Sequence, residues 1–115
     1  MSEILNLGRM TFDASNADAV KELFSECISI ARAKDTGTLQ YDLFYNAAGT
    51  EAVVVERYED SAALLQHWEN IGEELMDKIL ALVTYDGETL GPISPELLEG
   101  LGGDEARAFA PTLTF

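Results

Sequence analysis

Apolar and polar residues repeat with two different periods along this chain, and each change of period marks a new element. Glu3 to Phe12 predicts a first strand, closed by the polar cluster Asp13–Asn16. From Ala17 to Lys34 the apolar residues fall at Val20, Leu23, Phe24, Cys27, Ile30 and Ala31, the three-and-four spacing of an amphipathic helix. Ser15, with Asp18 three residues later, suits its N-cap. Asp35, Thr36 and Gly37 stop it, Gly37 being suited to a left-handed conformation.

Two alternating segments follow, Gly37 to Asn46 and Glu51 to Tyr58, joined by Ala47–Thr50 as a hairpin loop. Counting back from that loop pairs Tyr45 with Ala52, Leu43 with Val54, Tyr41 with Glu56 and Leu39 with Tyr58 on one face. The other face carries Gln40, Asp42 and Phe44 against Arg57, Val55 and Val53. A second long helix opens at Asp60/Ser61, with the stripe Leu64, Trp68, Ile71, Leu75, Ile79 and Leu82, and Gly72 marks a bend or break in it. Thr84 to Ile93 is irregular, with a turn at Asp86-Gly87. Ser94-Pro95-Glu96 opens a short helix by the order cap, proline, acid, and Gly100–Gly103 ends it. Ala106 to Phe115 predicts the last strand, with Pro111 placing it at a sheet edge or a bulge.

The order strand–helix–strand–strand–helix–strand predicts an α+β, ferredoxin-like βαββαβ fold. Its four-stranded antiparallel sheet has the first and third strands in the centre and the second and last at the edges. The short helix at Ser94 is an extra element before the last strand. Two long helices cover one face of the sheet. The other face, with Phe44, Val53 and Val55, needs a cover, and a second copy of the chain is the simplest one, so a homodimer is expected.

Composition narrows the function classes. The 115 residues fit one domain spanning 1–115. A net charge of −14 repels phosphate backbones and anionic lipid, which argues against nucleic acid and membrane surfaces as partners. The single Cys27 excludes an internal disulfide and a cysteine-cluster metal site, and reads as a buried thiol. The opening MSEILNLGRM lacks a basic segment followed by a long apolar run, so no signal peptide is expected and a cytoplasmic location is.

Candidate chemistry gathers on one sheet face. His67 is the only imidazole, at the border of the apolar stripe, within reach of Glu56. A His67–Glu56 pair would hold a proton-accepting ring; a border histidine bonded for structure is the plainer alternative. Glu56, in a valine-rich strand opposite Tyr41, is either a general base or a carboxylate satisfied by Tyr41, His67 or Arg9. On the first strand, Gly8 leaves room and Asn6 offers a donor and an acceptor beside it, a combination suited to an aromatic ligand bearing oxygen; a strand glycine at a bulge is the alternative. Trp68, Tyr58 and Tyr41 supply flat walls, or simply core. Tyr85 and Asp86 form a lid or a turn. There is no phosphate loop, no set of ligands at transition-metal spacing and no nucleophile elbow, so no metal or cofactor is expected.

Gly37, Leu39 and Tyr41 on one strand, Glu56, Tyr58 and Asp60 ending the next, and Ala62, Leu64 and His67 on the following helix form a pattern that resembles the antibiotic biosynthesis monooxygenase family. The resemblance implies a dimeric α/β barrel. It also implies cofactor-independent oxidation of a quinol or anthrone-like polycyclic phenol by molecular oxygen, with His67, Glu56 and Asn6 catalytic and Tyr41, Tyr58, Trp68 and Gly8 binding substrate. Haem-degrading relatives use an Asn, a Trp and a late-helix His, of which only Asn6 has a counterpart here. A non-catalytic dimeric barrel that binds a small aromatic molecule, or serves as a stress-associated subunit, is the other class of function expected.

Overall fold

The computed structural model describes residues 2–115. Strand β1 (Ile4–Thr11) leads through a 3-10 turn into helix α1 (Ala17–Lys34). The hairpin β2 (Thr38–Tyr45) and β3 (Glu51–Tyr58) follows, then α2 (Ser61–Ile71), α3 (Glu73–Leu80), β4 (Thr84–Leu90), α4 (Pro95–Leu101) and β5 (Ala108–Phe109). The sheet order is β2-β3-β1-β4-β5. Strands β1 to β4 are antiparallel to their neighbours and β5 joins parallel to β4, so the ferredoxin-like α+β sheet is mixed rather than purely antiparallel. The first and third strands are central, as the topology requires.

The β2–β3 register matches the alternation: Tyr45 lies opposite Ala52, Leu43 opposite Val54 and Tyr41 opposite Glu56. The expected Leu39–Tyr58 pair does not form. Thr38 faces Tyr58 instead, because the register shifts between Thr38 and Gln40 and leaves Leu39 as the extra, exposed residue. Four further expectations are corrected. Asp13, not Ser15, caps the first turn, accepting from the Ser15 amide. Gly37 does not have a positive φ; its missing side chain matters because a Cβ there would lie 2.6 Å from Ala63 Cβ. The stretch 84–90 is a strand, with Asp86 and Gly87 inside it, paired along β1 from Leu5↔Leu90 to Thr11↔Thr84. Strand β5 keeps only two residues of the expected 106–115, and Pro111 lies beyond it.

Gly72 divides the second helix as its φ of 84° requires, and Ser94 caps α4 by accepting from the Leu97 amide at 3.1 Å. All four helices gather their apolar residues into two clusters. One joins Met10, Val20, Phe24, Cys27, Ala52, Val54, Ile71, Leu75 and Ile79. The other joins Ile4, Tyr58, Ala63, Leu64 and Leu97. A polar site lies between them.

Candidate active site

The register builds the site as rows across the sheet. Tyr41 pairs with Glu56, Glu56 with Asn6 and Asn6 with Thr89, so four strands contribute one polar row on the helix-facing side. Asn6 Nδ2 donates to Glu56 Oε2 at 3.1 Å, and Thr89 Oγ1 donates to Asn6 Oδ1 at 2.8 Å. The Tyr58 hydroxyl donates a short hydrogen bond to Glu56 Oε1. Asn6, Glu56 and Thr89 are all buried. Burial pushes the Glu56 carboxyl up from its ordinary value, against the lowering effect of Tyr58, His67 and Asn6. The same burial, reinforced by the Glu56 charge, pushes the Tyr41 and Tyr58 phenols up, so both remain protonated donors.

His67 descends from α2 onto this row. Its ring meets Tyr41 edge-on at 4.7 Å between centroids and lies 5.3 Å from Tyr58. The expected His67–Glu56 hydrogen bond is not made: Nε2 stands 3.9 Å from Glu56 Oε1. The ring is instead held from behind by Asp35, whose Oδ2 is 2.7 Å from Nδ1. Asp35 offers only acceptor oxygens, so the proton of the neutral ring sits on Nδ1 and Nε2 keeps its lone pair toward the sheet. Thr38 and Asn70 donate to the same carboxylate at 2.7 and 2.8 Å. Burial alone would push Asp35 up, but the bonds from Asn70, Thr38 and His67 together hold it below its ordinary value. Sequence reasoning took Asp35 only as a helix stop. No local pattern announces it, because its three donors lie on β2 and α2.

A cavity of about 580 Å³ opens on this row, within the size range of small-molecule sites. Asn6, Glu56, His67, Trp68 and Tyr41 reach it, as do Tyr85 and Thr89 of β4. Two expected substrate contacts do not. Tyr58 is fully buried in the second apolar cluster behind Glu56. The room expected at Gly8 is taken by the Tyr85 ring, since a Cβ on Gly8 would come within 2.7 Å of Tyr85 Cε2 and Oη. Glu56 is satisfied by Tyr58 and Asn6 rather than by Tyr41 or Arg9; Arg9 points to the opposite sheet face. Trp68 both lines the cavity and packs on Gly100 of α4, where a Cβ would lie 2.9 Å from its ring. Cys27 is buried, and burial pushes its thiol up to about 11, as an inert core residue. Among the described residues no three His, Cys, Asp or Glu side chains are arranged to hold a metal ion. No helix among them is long and apolar enough to cross a membrane.

A ferredoxin-like sheet with a largely apolar cavity beneath its helices, opening on a polar row, defines the class of the protein. The chain belongs to the antibiotic biosynthesis monooxygenase family, whose sequence model matches residues 4–72. Among solved structures it is similar to MupZ from Pseudomonas fluorescens, at 23% identity and a TM-score of 0.81 over 100% of this chain and 94% of that one. It is similar to Rv0793 from Mycobacterium tuberculosis, at 27% identity and a TM-score of 0.67 over 81% and 97% of the two chains. It shares its fold with SnoaB, a cofactor-independent oxygenase from Streptomyces nogalater, at 13% identity and a TM-score of 0.65 over 77% and 91%. No curated protein matches the sequence.

Proposed function

We propose that this protein is a cofactor-independent monooxygenase that oxidises a quinol or polycyclic phenol with molecular oxygen, working as a homodimer of one-domain chains. The observation that carries this reading is the cavity of about 580 Å³ with an Asp35–His67 pair and a buried carboxyl, Glu56, on its wall. SnoaB, described as a cofactor-independent oxygenase, shares the fold.

The steps follow from the side chains. His67 Nε2 accepts a proton from the substrate, and Asp35 stabilises the imidazolium that forms. Asn6 and the Tyr41 and Tyr85 phenols, which line the cavity, face the resulting oxyanion. The electron-rich anion passes one electron to oxygen and the radical pair combines, forming a C–O bond. The proton held by His67 returns to the peroxide. Loss of water then breaks the O–O bond: for an anthrone, CH₂ and O₂ become C=O and H₂O. The substrate itself supplies the electrons.

A specific observation favours a second reading, a non-catalytic protein that binds an aromatic molecule. Asn6, Glu56 and Thr89 already satisfy one another, and no buried side-chain polar atom among the described residues lacks a partner. Oxygen uptake with an anthrone or a reduced naphthoquinone, against a protein-free control, separates the two. The wild type is expected to accelerate uptake, and His67→Ala to slow it by roughly 10²-fold. An unchanged rate in that variant removes the imidazole from the mechanism. No acceleration across a panel of hydroquinones leaves the binding protein.

A further inference from the structure

Next to the polar row, the following row carries Leu43 and Val54 on β2 and β3 but no side chain on β1 and β4. Gly8 of β1 pairs directly with Gly87 of β4, and both face the helices. One row further on, Tyr85 lies opposite Met10. Its side chain leans back along β4 and lays its ring over the two glycines. A Cβ built on Gly87 would lie 2.8 Å from Tyr85 Oη, 2.9 Å from Cε1 and 3.1 Å from Cζ; one built on Gly8 would lie 2.7 Å from Cε2 and Oη. The ring therefore forms part of the cavity floor, beside Asn6 and Thr89, while 42% of the residue stays exposed. Such a glycine pair is costly in a strand, because it packs nothing and lowers strand propensity. Here its place in the strand coincides with a flat seat for one aromatic ring. Burial, then the Glu56 charge, push the Tyr85 phenol up to about 12 against the lowering effect of Asn6, so it is a hydrogen-bond donor at neutral pH.

We infer that Tyr85, seated on the Gly8–Gly87 pair, is the specificity-determining wall of the cavity: its ring is the platform on which a planar aromatic ligand stacks. The inference rests on the proposed function only in taking a planar phenol as the ligand. Three features support stacking here. The far end of the ring occupies the space where side chains on Gly8 and Gly87 would stand, with Val54 alongside. The residue lines the cavity and remains exposed. Trp68 lines the same space.

The chain has one tryptophan, Trp68, so its fluorescence reports binding in this cavity. The probe is anthraquinone-2-sulfonate, with camphor-10-sulfonate, of the same charge but not planar, as a competitor. The wild type should bind the planar probe, and the camphor compound should displace it poorly. Tyr85→Phe keeps the ring and should bind within about twofold, whereas Tyr85→Ala should bind roughly five- to tenfold more weakly. Gly87→Ala is the sharper variant. All three atoms nearest to its new methyl belong to the movable end of Tyr85, so the ring shifts and the fold remains. It should weaken binding by a similar factor, and should add nothing in a Tyr85→Ala background. The inference is overturned if the wild type does not bind the planar probe, if camphor-10-sulfonate competes equally well, or if Gly87→Ala and Tyr85→Ala bind like the wild type. Planar binding with these variant effects but no oxygen uptake from any quinol keeps Tyr85 as the platform and removes the oxygenation reading alone.

Discussion

Asp35 and Glu56 are two buried carboxyls whose surroundings push them in opposite directions. Asp35 collects three donors and lies below its ordinary 3.8; Glu56 collects two and is raised by burial. The sign of each follows by linkage. The contribution of Asp35 to stability is present above pH 3.8 and lost as pH falls through its lower folded value. That of Glu56 is present below 4.5 and lost as pH rises through its raised folded value. Asp35→Asn should therefore destabilise the protein by about 1–3 kcal/mol at neutral pH, and the difference from wild type should shrink in acid. Urea unfolding at a series of pH values measures this, and a constant difference down to the acid limb would contradict it. The same variant bears on the proposed reaction. An amide turned with its NH₂ toward Nδ1 moves the imidazole proton to Nε2 and removes the lone pair facing Glu56. Oxygen uptake should then fall by on the order of 10²-fold or more, with the fold retained. Full activity in Asp35→Asn would place the base elsewhere.

At the scale of elements, the approach of β2 to α2 is set by a missing side chain. Gly37 sits where a Cβ would be 2.6 Å from Ala63 Cβ and 3.7 Å from its Cα, and the helix backbone cannot step aside as a flexible side chain can. Gly37→Ala should cost about 1–3 kcal/mol by overpacking, and Ala63→Gly in the same chain should recover part of it. Thermal unfolding of the two single variants and the double variant tests the coupling; strictly additive losses would mean that the two residues do not meet. This contact also illustrates what was legible in the sequence. The β2–β3 pairing could be counted from its loop because the two segments alternate in step on either side of a short turn. The bulge at Leu39 could not, since nothing in the sequence of β2 tells one extended residue from another. Strand β4 was missed because Asp86 and Gly87 carry a turn signal, and the reason for glycine there, the Tyr85 ring, depends on a neighbouring strand. His67, Glu56 and Asn6 could be placed on one face by periodicity. Thr89 could not, because only its pairing with Asn6 brings it to that face, nor could Asp35, whose place behind His67 depends on how the end of α1 packs against α2.

At the scale of the molecule, the helix-free face of the sheet is the open question that the fold itself raises. Leu5, Leu7, Val53 and Val55 stand half-buried on it, and Phe44 is 55% exposed. Arg57 and Glu3 form an ion pair of 2.7 Å on the same face, a polar margin to the apolar patch. Burying that patch against a second copy gains hydrophobic stabilisation, whereas a charge of −14 on each chain opposes it. The two terms respond differently to salt. Screening weakens the repulsion between the chains and leaves apolar burial largely intact, so the dimer should tighten as salt rises from 20 to about 150 mM, where the Debye length falls to about 8 Å. Sedimentation at micromolar concentration should give twice the 12.6 kDa chain mass. Val55→Lys should weaken association roughly tenfold or more, because it sets an ammonium opposite Leu7 in the middle of the patch. Asp42, its neighbour on β2, can pair with that charge in the separated chain, so the variant should stay folded as a monomer. A wild-type monomer at micromolar concentration and moderate salt would refute the homodimer. A dimer indifferent to Val55→Lys would instead place the interface on another surface.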